Sequence, residues 1–138
     1  MRISNFENKH CYCVSTEHDL QLEVVKILRR SGLLFSCSHT VEMLDTDSKR
    51  IDATRQGFSP GMPDILVYTA KNGFSGLAIE LKHPWGTGSL SSDQRRVIKE
   101  LDSNNWLVVV SNDLLQIADI ILKYTHNLIQ NEVDIHEE

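Results

Sequence analysis

Between Glu17 and Ser31 the apolar residues fall at helical spacing: Leu20, Val24, Ile27 and Leu28 share one stripe, and Gly32 supplies a stop. An apolar-rich segment from Leu33 to Leu44 then predicts a strand, and the polar stretch from Asp45 to Ser59 predicts a loop carrying Lys49, Arg50 and Arg55. Two short apolar runs, Asp64 to Tyr68 and Leu77 to Lys82, read as paired strands around Asn72 and Gly73. A glycine-rich connection, Pro84 to Gly88, leads to a second helix from Ser92 to Asn104 that buries Val97, Ile98 and Leu101. The continuous apolar run Trp106 to Val110 predicts a strand buried on both faces. A third helix begins near Asp113, with Ile117, Ile121, Tyr124 and Leu128 on one side. The order helix, three strands, helix, strand, helix predicts an α/β fold.

Charges interrupt the two central strands where burial makes them costly. Asp64 opens one run, and Glu80 and Lys82 sit within the other. A period of two puts Ala78, Glu80 and Lys82 on one face and Leu77, Ile79 and Leu81 on the opposite one. One carboxylate holds Mg2+ poorly, because this hard ion requires oxygen ligands in octahedral geometry. A second acid must converge on Glu80, and Asp64 is the candidate.

The hairpin decides whether it does. A two-residue turn at Asn72 and Gly73 pairs Lys71 with Phe74, which in a regular ladder sets Asp64 opposite Leu81, on the wrong face. A three-residue loop, or a bulge with the same effect, sets Asp64 opposite Glu80. The sequence reading therefore predicts that loop or bulge.

Gly57-x3-Gly61, then Pro63-Asp64, then Glu80-x-Lys82, then Leu90 to Gln94 form an ordered series, with Glu17-x3-Gln21 ahead of it on the first helix. This series resembles the signature of the PD-(D/E)XK nuclease superfamily, and its flanks resemble the virus-type replication-repair nuclease (VRR-NUC) branch. The resemblance covers about residues 17 to 124. One departure is visible: members often carry Asn-Glu after a His in the first strand, whereas this chain reads His39-x-x-Glu42.

The resemblance implies a restriction-endonuclease-like core of order αβββαβ, a mixed central sheet flanked by helices, and a set of roles. Asp64, Glu80 and the main-chain carbonyl of Leu81 would hold Mg2+ as the cofactor, with Mn2+ as a substitute. Lys82 would orient the attacking water or stabilise transition-state charge. Gln94 would position that water or Lys82, and Glu17 would serve a second metal. The resemblance also includes small dimeric members that act on branched DNA.

Structural readings stand beside these roles. Asp64 could cap the turn after Pro63, and Glu80 with Lys82 could be a cross-strand ion pair. Ser91-x-x-Gln94 is a capping box in its own right, as is Thr16-x-x-Asp19, which makes Glu17 a first-turn acid favoured by the helix dipole. Gly57 and Gly61 suit positive φ or close backbone approach. Trp85 could pack over the site or fill a core edge, the second being the favoured reading.

At 138 residues, 41% of them hydrophobic, the chain suits one domain spanning 1–138, with a core at about 17–124, a polar N-terminal segment 1–15 and an acidic tail 130–138. No apolar stretch approaches the roughly 18 residues of a membrane span, and no signal-like segment opens the chain, so an intracellular, soluble protein is expected. The net charge of −5 opposes nonspecific adhesion to nucleic acid. Against it, His83, Arg95, Arg96 and Lys99 are candidate DNA contacts near the catalytic segment, and Arg55 is one in a loop that could be a DNA-facing flap; a solvated helix face is the alternative for Arg95, Arg96 and Lys99, and an ordinary solvated loop for Arg55. Cys11, Cys13 and Cys37 are an odd set and read as free thiols; a zinc site with His10, His18 and His39 would need tighter spacing than such sites use.

The ordered series and the resemblance it carries lead to the expectation of a metal-dependent DNA endonuclease of replication, repair or recombination; the resemblance, rather than the sequence itself, implies structure-specific action on branched DNA or Holliday junctions as a homodimer. Leu114, Leu115, Ile120 and Leu122 are candidates for the dimer face. The competing readings are a catalytically inactive DNA-binding module of the same fold and a sequence-specific restriction endonuclease.

Overall fold

The computed structural model describes residues 1–5, 14–38, 44–86 and 89–130. Its elements are β1 (Arg2–Asn5), α1 (Glu17–Ser31), β2 (Phe35–Cys37), α2 (Asp47–Arg55), β3 (Ile65–Val67), β4 (Gly76–Leu81), α3 (Ser92–Ser103), β5 (Trp106–Ser111) and α4 (Leu114–Thr125). The sheet has five strands in the order β1-β5-β4-β3-β2. β1, β5 and β4 run parallel, and β3 and β2 complete a mixed sheet by antiparallel pairing.

The two faces of the sheet bury different layers. Leu77, Ile79 and Leu81 of β4, Leu107 and Val109 of β5, and Ile65 and Val67 of β3 pack with Leu20, Val24 and Leu28 of α1 and Ile117, Ile121 and Tyr124 of α4. Each fully buried Leu or Ile here contributes on the order of 1.5–3 kcal/mol. The opposite face is smaller: Ala78, Val108 and Val110 pack with Ile98 of α3, with Leu66, Leu90, Leu101 and Trp106 partly buried around them. β5 is therefore covered on both sides, as its unbroken apolar run requires.

Local signals set the helix ends. Thr16 accepts the Asp19 N–H at 3.0 Å while the Asp19 carboxylate takes the Thr16 N–H at 3.2 Å, and Gly32 closes α1 at φ 76°. The hydrogen bonds from Ser15 and Thr16 hold the Asp19 carboxyl below its ordinary pKa.

The structure corrects four expectations about the elements. The stretch 45–59 contains the helix α2, which buries no residue and so gives no hydrophobic period to read. It rests on a Thr46 cap and on local pairs, Lys49 with Asp45 and Arg50 with Asp47, both at 2.8 Å. The polar N-terminal segment contributes an edge strand, β1, whose pairing with β5 is a long-range choice. β2 is shorter than the strand expected from Leu33 to Leu44; residues 39–43, with His39 and Glu42, lie outside the described residues. Leu128 lies beyond α4 and is exposed.

The hairpin forms by the bulge, not by the three-residue loop. Lys71 pairs with Phe74 across a two-residue turn in which Asn72 and Gly73 have φ of 57° and 77°. Yet the ladder beyond runs Val67 to Leu77, Leu66 to Ala78 and Ile65 to Ile79, one residue out of step with that turn. Tyr68, Thr69 and Ala70 thus face only Ser75 and Gly76. The displaced groups of Thr69 find partners: its carbonyl accepts from the Tyr124 hydroxyl at 2.7 Å and its hydroxyl from the Leu34 N–H at 2.9 Å. The turn is tied down as well. Asn72 donates through its Nδ2 to the Tyr124 carbonyl at 2.9 Å, and its Oδ1 accepts the Ile129 N–H at 3.0 Å.

Candidate active site

One step past Ile65 and Ile79 the ladder sets Asp64 opposite Glu80, at the carboxyl end of β4 and on the face covered by α3. Glu80 is 4% exposed. Asp64 accepts the Leu81 N–H through Oδ2 at 2.7 Å, and its carboxyl lies close enough to that of Glu80 for each to shift the other's proton affinity. Lys82 Nζ lies 3.5 Å from Glu80 Oε1 and donates to Gln94 Oε1 at 3.1 Å. Gln94 closes the ring, donating from Nε2 to Glu80 Oε1 at 2.6 Å.

Gln94 reaches this ring because of where α3 begins. Its N–H donates to the Ser91 hydroxyl at 3.2 Å and its Oε1 accepts the Ser91 N–H at 2.9 Å, so the capping box and the site share one side chain. Gly61, at φ 82°, lies against this first turn. A Cβ there would stand 2.6 Å from the Asp93 carbonyl oxygen and 2.7 Å from the Gln94 nitrogen. The loop delivering Pro63 and Asp64 is thereby docked on the turn that delivers Gln94, which explains glycine at this position.

Two acids in a buried site hold protons strongly. Burial, then the neighbouring Asp64 carboxylate, push the Glu80 carboxyl up to about 8, against the opposing pull of Lys82. Asp64 is also raised, first by burial and then by the charge of Glu17, while the Leu81 N–H and Lys82 lower it. The pair titrates as a unit.

The donor set fits a hard divalent cation, since the buried Glu80 carboxyl and the half-buried Asp64 carboxyl compete for one nearby ammonium and a dication in place of the proton would satisfy both. Asp64 and Glu80 would hold it with the Leu81 carbonyl. Among the described residues no three His, Cys, Asp or Glu side chains gather as a ligand group. Glu17, exposed on the first turn of α1, thus acts on the pair through its charge.

The basic candidates are dispersed. His83, Arg95, Arg96 and Lys99 are exposed on the segment after β4 and on α3, and Arg96 lies 4.0 Å from Asp93. Arg55 is exposed in the last turn of α2. Cys37 is a free, exposed thiol, and His10, Cys11 and Cys13 lie outside the described residues. Trp85 departs from the expected core position: it is 46% exposed. Asn112 was not legible as a site residue. It is 4% exposed, follows the β5 residue whose carbonyl takes the Lys82 N–H at 3.0 Å, and keeps a buried Oδ1 without a hydrogen-bond partner. Only the pairing of β5 with β4 brings it there; locally it reads as part of the approach to α4.

The family model for the VRR-NUC domain matches residues 6–112 of this chain. A solved structure described as a VRR_NUC domain protein shares the fold with a TM-score of 0.66 and 21% identity, covering 81% of this chain and 89% of that one. No curated protein matches the sequence. With the family model spanning most of its length, the chain belongs to the VRR-NUC family of nuclease-type domains.

Proposed function

We propose that this chain is a divalent-cation-dependent DNA endonuclease, and that Asp64, Glu80, Lys82 and Gln94 carry the reaction. The supporting observation is the pairing of the half-buried Asp64 with the buried Glu80, with Lys82 and Gln94 bonded around Glu80. Mg2+ or Mn2+ bound at the pair would lower the pKa of a coordinated water and neutralise charge on the scissile phosphate. Lys82 would donate to a nonbridging phosphate oxygen or to the attacking water, stabilising charge that grows in the transition state. Gln94 holds the Lys82 ammonium and one Glu80 oxygen in fixed orientation. Glu17 faces the same pair electrostatically, and a second cation there would draw further ligands from the substrate.

Branched DNA is the proposed substrate and a homodimer the proposed form. Of the four candidate dimer residues on α4, Ile120 is buried and Leu114 packs on the core, whereas Leu115 and Leu122 are 72% and 58% exposed, one face apart by seven residues. No helix among the described residues is long and apolar enough to cross a membrane.

The test is incubation with plasmid, single-stranded DNA and a four-way junction in Mg2+, Mn2+ or EDTA, alongside a light-scattering mass. Cutting that requires metal and vanishes in Lys82→Ala supports the enzyme. Binding without cutting would make the protein an inactive module, and discrete plasmid fragments would make it a restriction endonuclease.

A further inference from the structure

Three buried polar residues close β5, and two of them serve α4. The Ser111 hydroxyl donates to Gln116 Oε1 at 2.6 Å and accepts the Asp113 N–H at 3.0 Å, while Asp113 Oδ1 accepts the Leu115 N–H at 3.0 Å as the helix cap. Asn112, between them and 4% exposed, bonds to a different segment: its Nδ2 donates to the His83 carbonyl at 3.5 Å. Its Oδ1 is buried without a hydrogen-bond partner. A buried acceptor without a donor lowers stability, and a Leu or Val, like residues 107–110 before it, would fill the position without that loss. Stability therefore does not account for the amide, and attention falls on what its donor end holds.

The ladder between β4 and β5 ends with Leu81 opposite Ser111, so Lys82 and Asn112 leave the sheet side by side. The Lys82 N–H is held by the Ser111 carbonyl at 3.0 Å, and the carbonyl of the next residue, His83, is held by Asn112. Two consecutive residues of one strand end thus clamp the neighbouring chain before and after the Lys82 α-carbon. The same His83 carbonyl accepts the Gly86 N–H at 2.9 Å, so the clamp extends over the turn that follows. At 3.5 Å the Asn112 bond is long, as hydrogen bonds in an active site often are before substrate binds.

We propose that Asn112 is a positioning residue for Lys82, fixing the peptide that leaves β4 so that the ammonium meets Gln94 and Glu80 in one geometry. The proposal rests on the nuclease reading of that site. Lysine carries its charge at the end of a flexible four-carbon stem, so the contacts at its tip, 3.1 Å to Gln94 and 3.5 Å to Glu80, define its place only when the root of the stem is fixed as well. A shifted root lowers the rate of a step that needs the ammonium in the transition state, and leaves cation binding by Asp64 and Glu80 as it was.

The test uses the full chain with Asn112→Leu, which keeps the shape and removes both polar ends, and Asn112→Ala as a second variant, each assayed at a temperature where it is folded. On whichever of plasmid, single-stranded or four-way-junction DNA the wild type cuts in Mn2+, kcat is expected to fall about tenfold to a hundredfold, with KM and Mn2+ affinity as in the wild type. The melting temperature of Asn112→Leu should equal or exceed that of the wild type. In metal-free Asn112→Leu, or in Asn112→Ala if the leucine variant does not fold, the Gly86 amide should exchange its hydrogen about tenfold faster, followed by NMR, while the Val109 amide keeps its wild-type rate. Wild-type kcat in the folded variants, a loss confined to KM, or a loss that tracks melting temperature would overturn the positioning role. Unchanged Gly86 exchange would overturn the clamp and leave the nuclease reading standing. A wild type that cuts none of these DNAs in Mn2+ would remove the nuclease reading, and the catalytic use of Asn112 with it, even if Gly86 exchanges faster.

Discussion

Asp64 stands opposite Glu80 because the strand leading from Asp64 carries one residue more than its partner, and the excess is absorbed around Thr69. The Asn72-Gly73 turn alone would set Asp64 beside Leu81. Burial of Ile65 and Val67 requires the other register, and the bulge reconciles the two. The acids therefore meet through a mismatch resolved some distance from them.

Deleting Thr69 removes the excess and leaves a regular ladder with the same Asp64–Glu80 register. That deletion is expected to keep Mn2+ binding, measured by calorimetry, at some cost in stability from the vacated Tyr124 hydroxyl, about 1–3 kcal/mol. Deleting Ser75 from the opposite strand enlarges the mismatch and should abolish binding. Equal behaviour of the two deletions would show that register does not assemble the site.

The raised carboxyl pair makes the metal-free protein sensitive to base. The folded state keeps protons on Glu80 up to about 8, whereas an ordinary glutamate releases them near 4.5, so the folded chain binds more protons between those values. Stability then falls as pH rises through that window. Melting temperatures without metal should decline from pH 5 to pH 8.5, and Glu80→Gln should flatten the decline. A divalent cation should stabilise most at the alkaline end, where it no longer competes with protons.

Gly61→Ala tests the docking of the Asp64 loop on α3. The added methyl meets the Asp93 and Gln94 backbone, and its φ of 82° disfavours any side chain. A destabilisation of about 1–3 kcal/mol is expected from the conformation and overlap, with cleavage lost beyond what unfolding explains. Gly57→Ala, where a Cβ meets nothing within 4 Å, should bear only the conformational part.

Gln94 serves both cap and site, and two substitutions separate the roles. Gln94→Glu keeps an oxygen for the Ser91 N–H but loses the donor to Glu80, placing a third acid in the ring. Its melting temperature in metal-free buffer at pH 5 should stay near wild type, while cleavage at neutral pH should fall about 10²–10³-fold, read by single-turnover kinetics. Gln94→Ala should lose both, with about 1 kcal/mol from the cap. Unchanged cleavage in Gln94→Glu would confine this residue to capping.

The sequence by itself determined the helices with apolar stripes, the doubly buried β5 and the alternation that gives Glu80 and Lys82 one face, because periodicity and caps are local physics. It also showed that Asp64 needed a register the simple turn denies. It left α2 and β1 unread, since α2 buries nothing and β1 is defined by its parallel partner rather than its own pattern. Only the tertiary structure decided how the register was restored, that Gly61 is pressed onto α3, that Asn112 lies beside the Lys82–His83 turn and that Trp85 faces solvent. Each of these depends on contacts between distant segments, whose geometry is set by packing that no local pattern encodes.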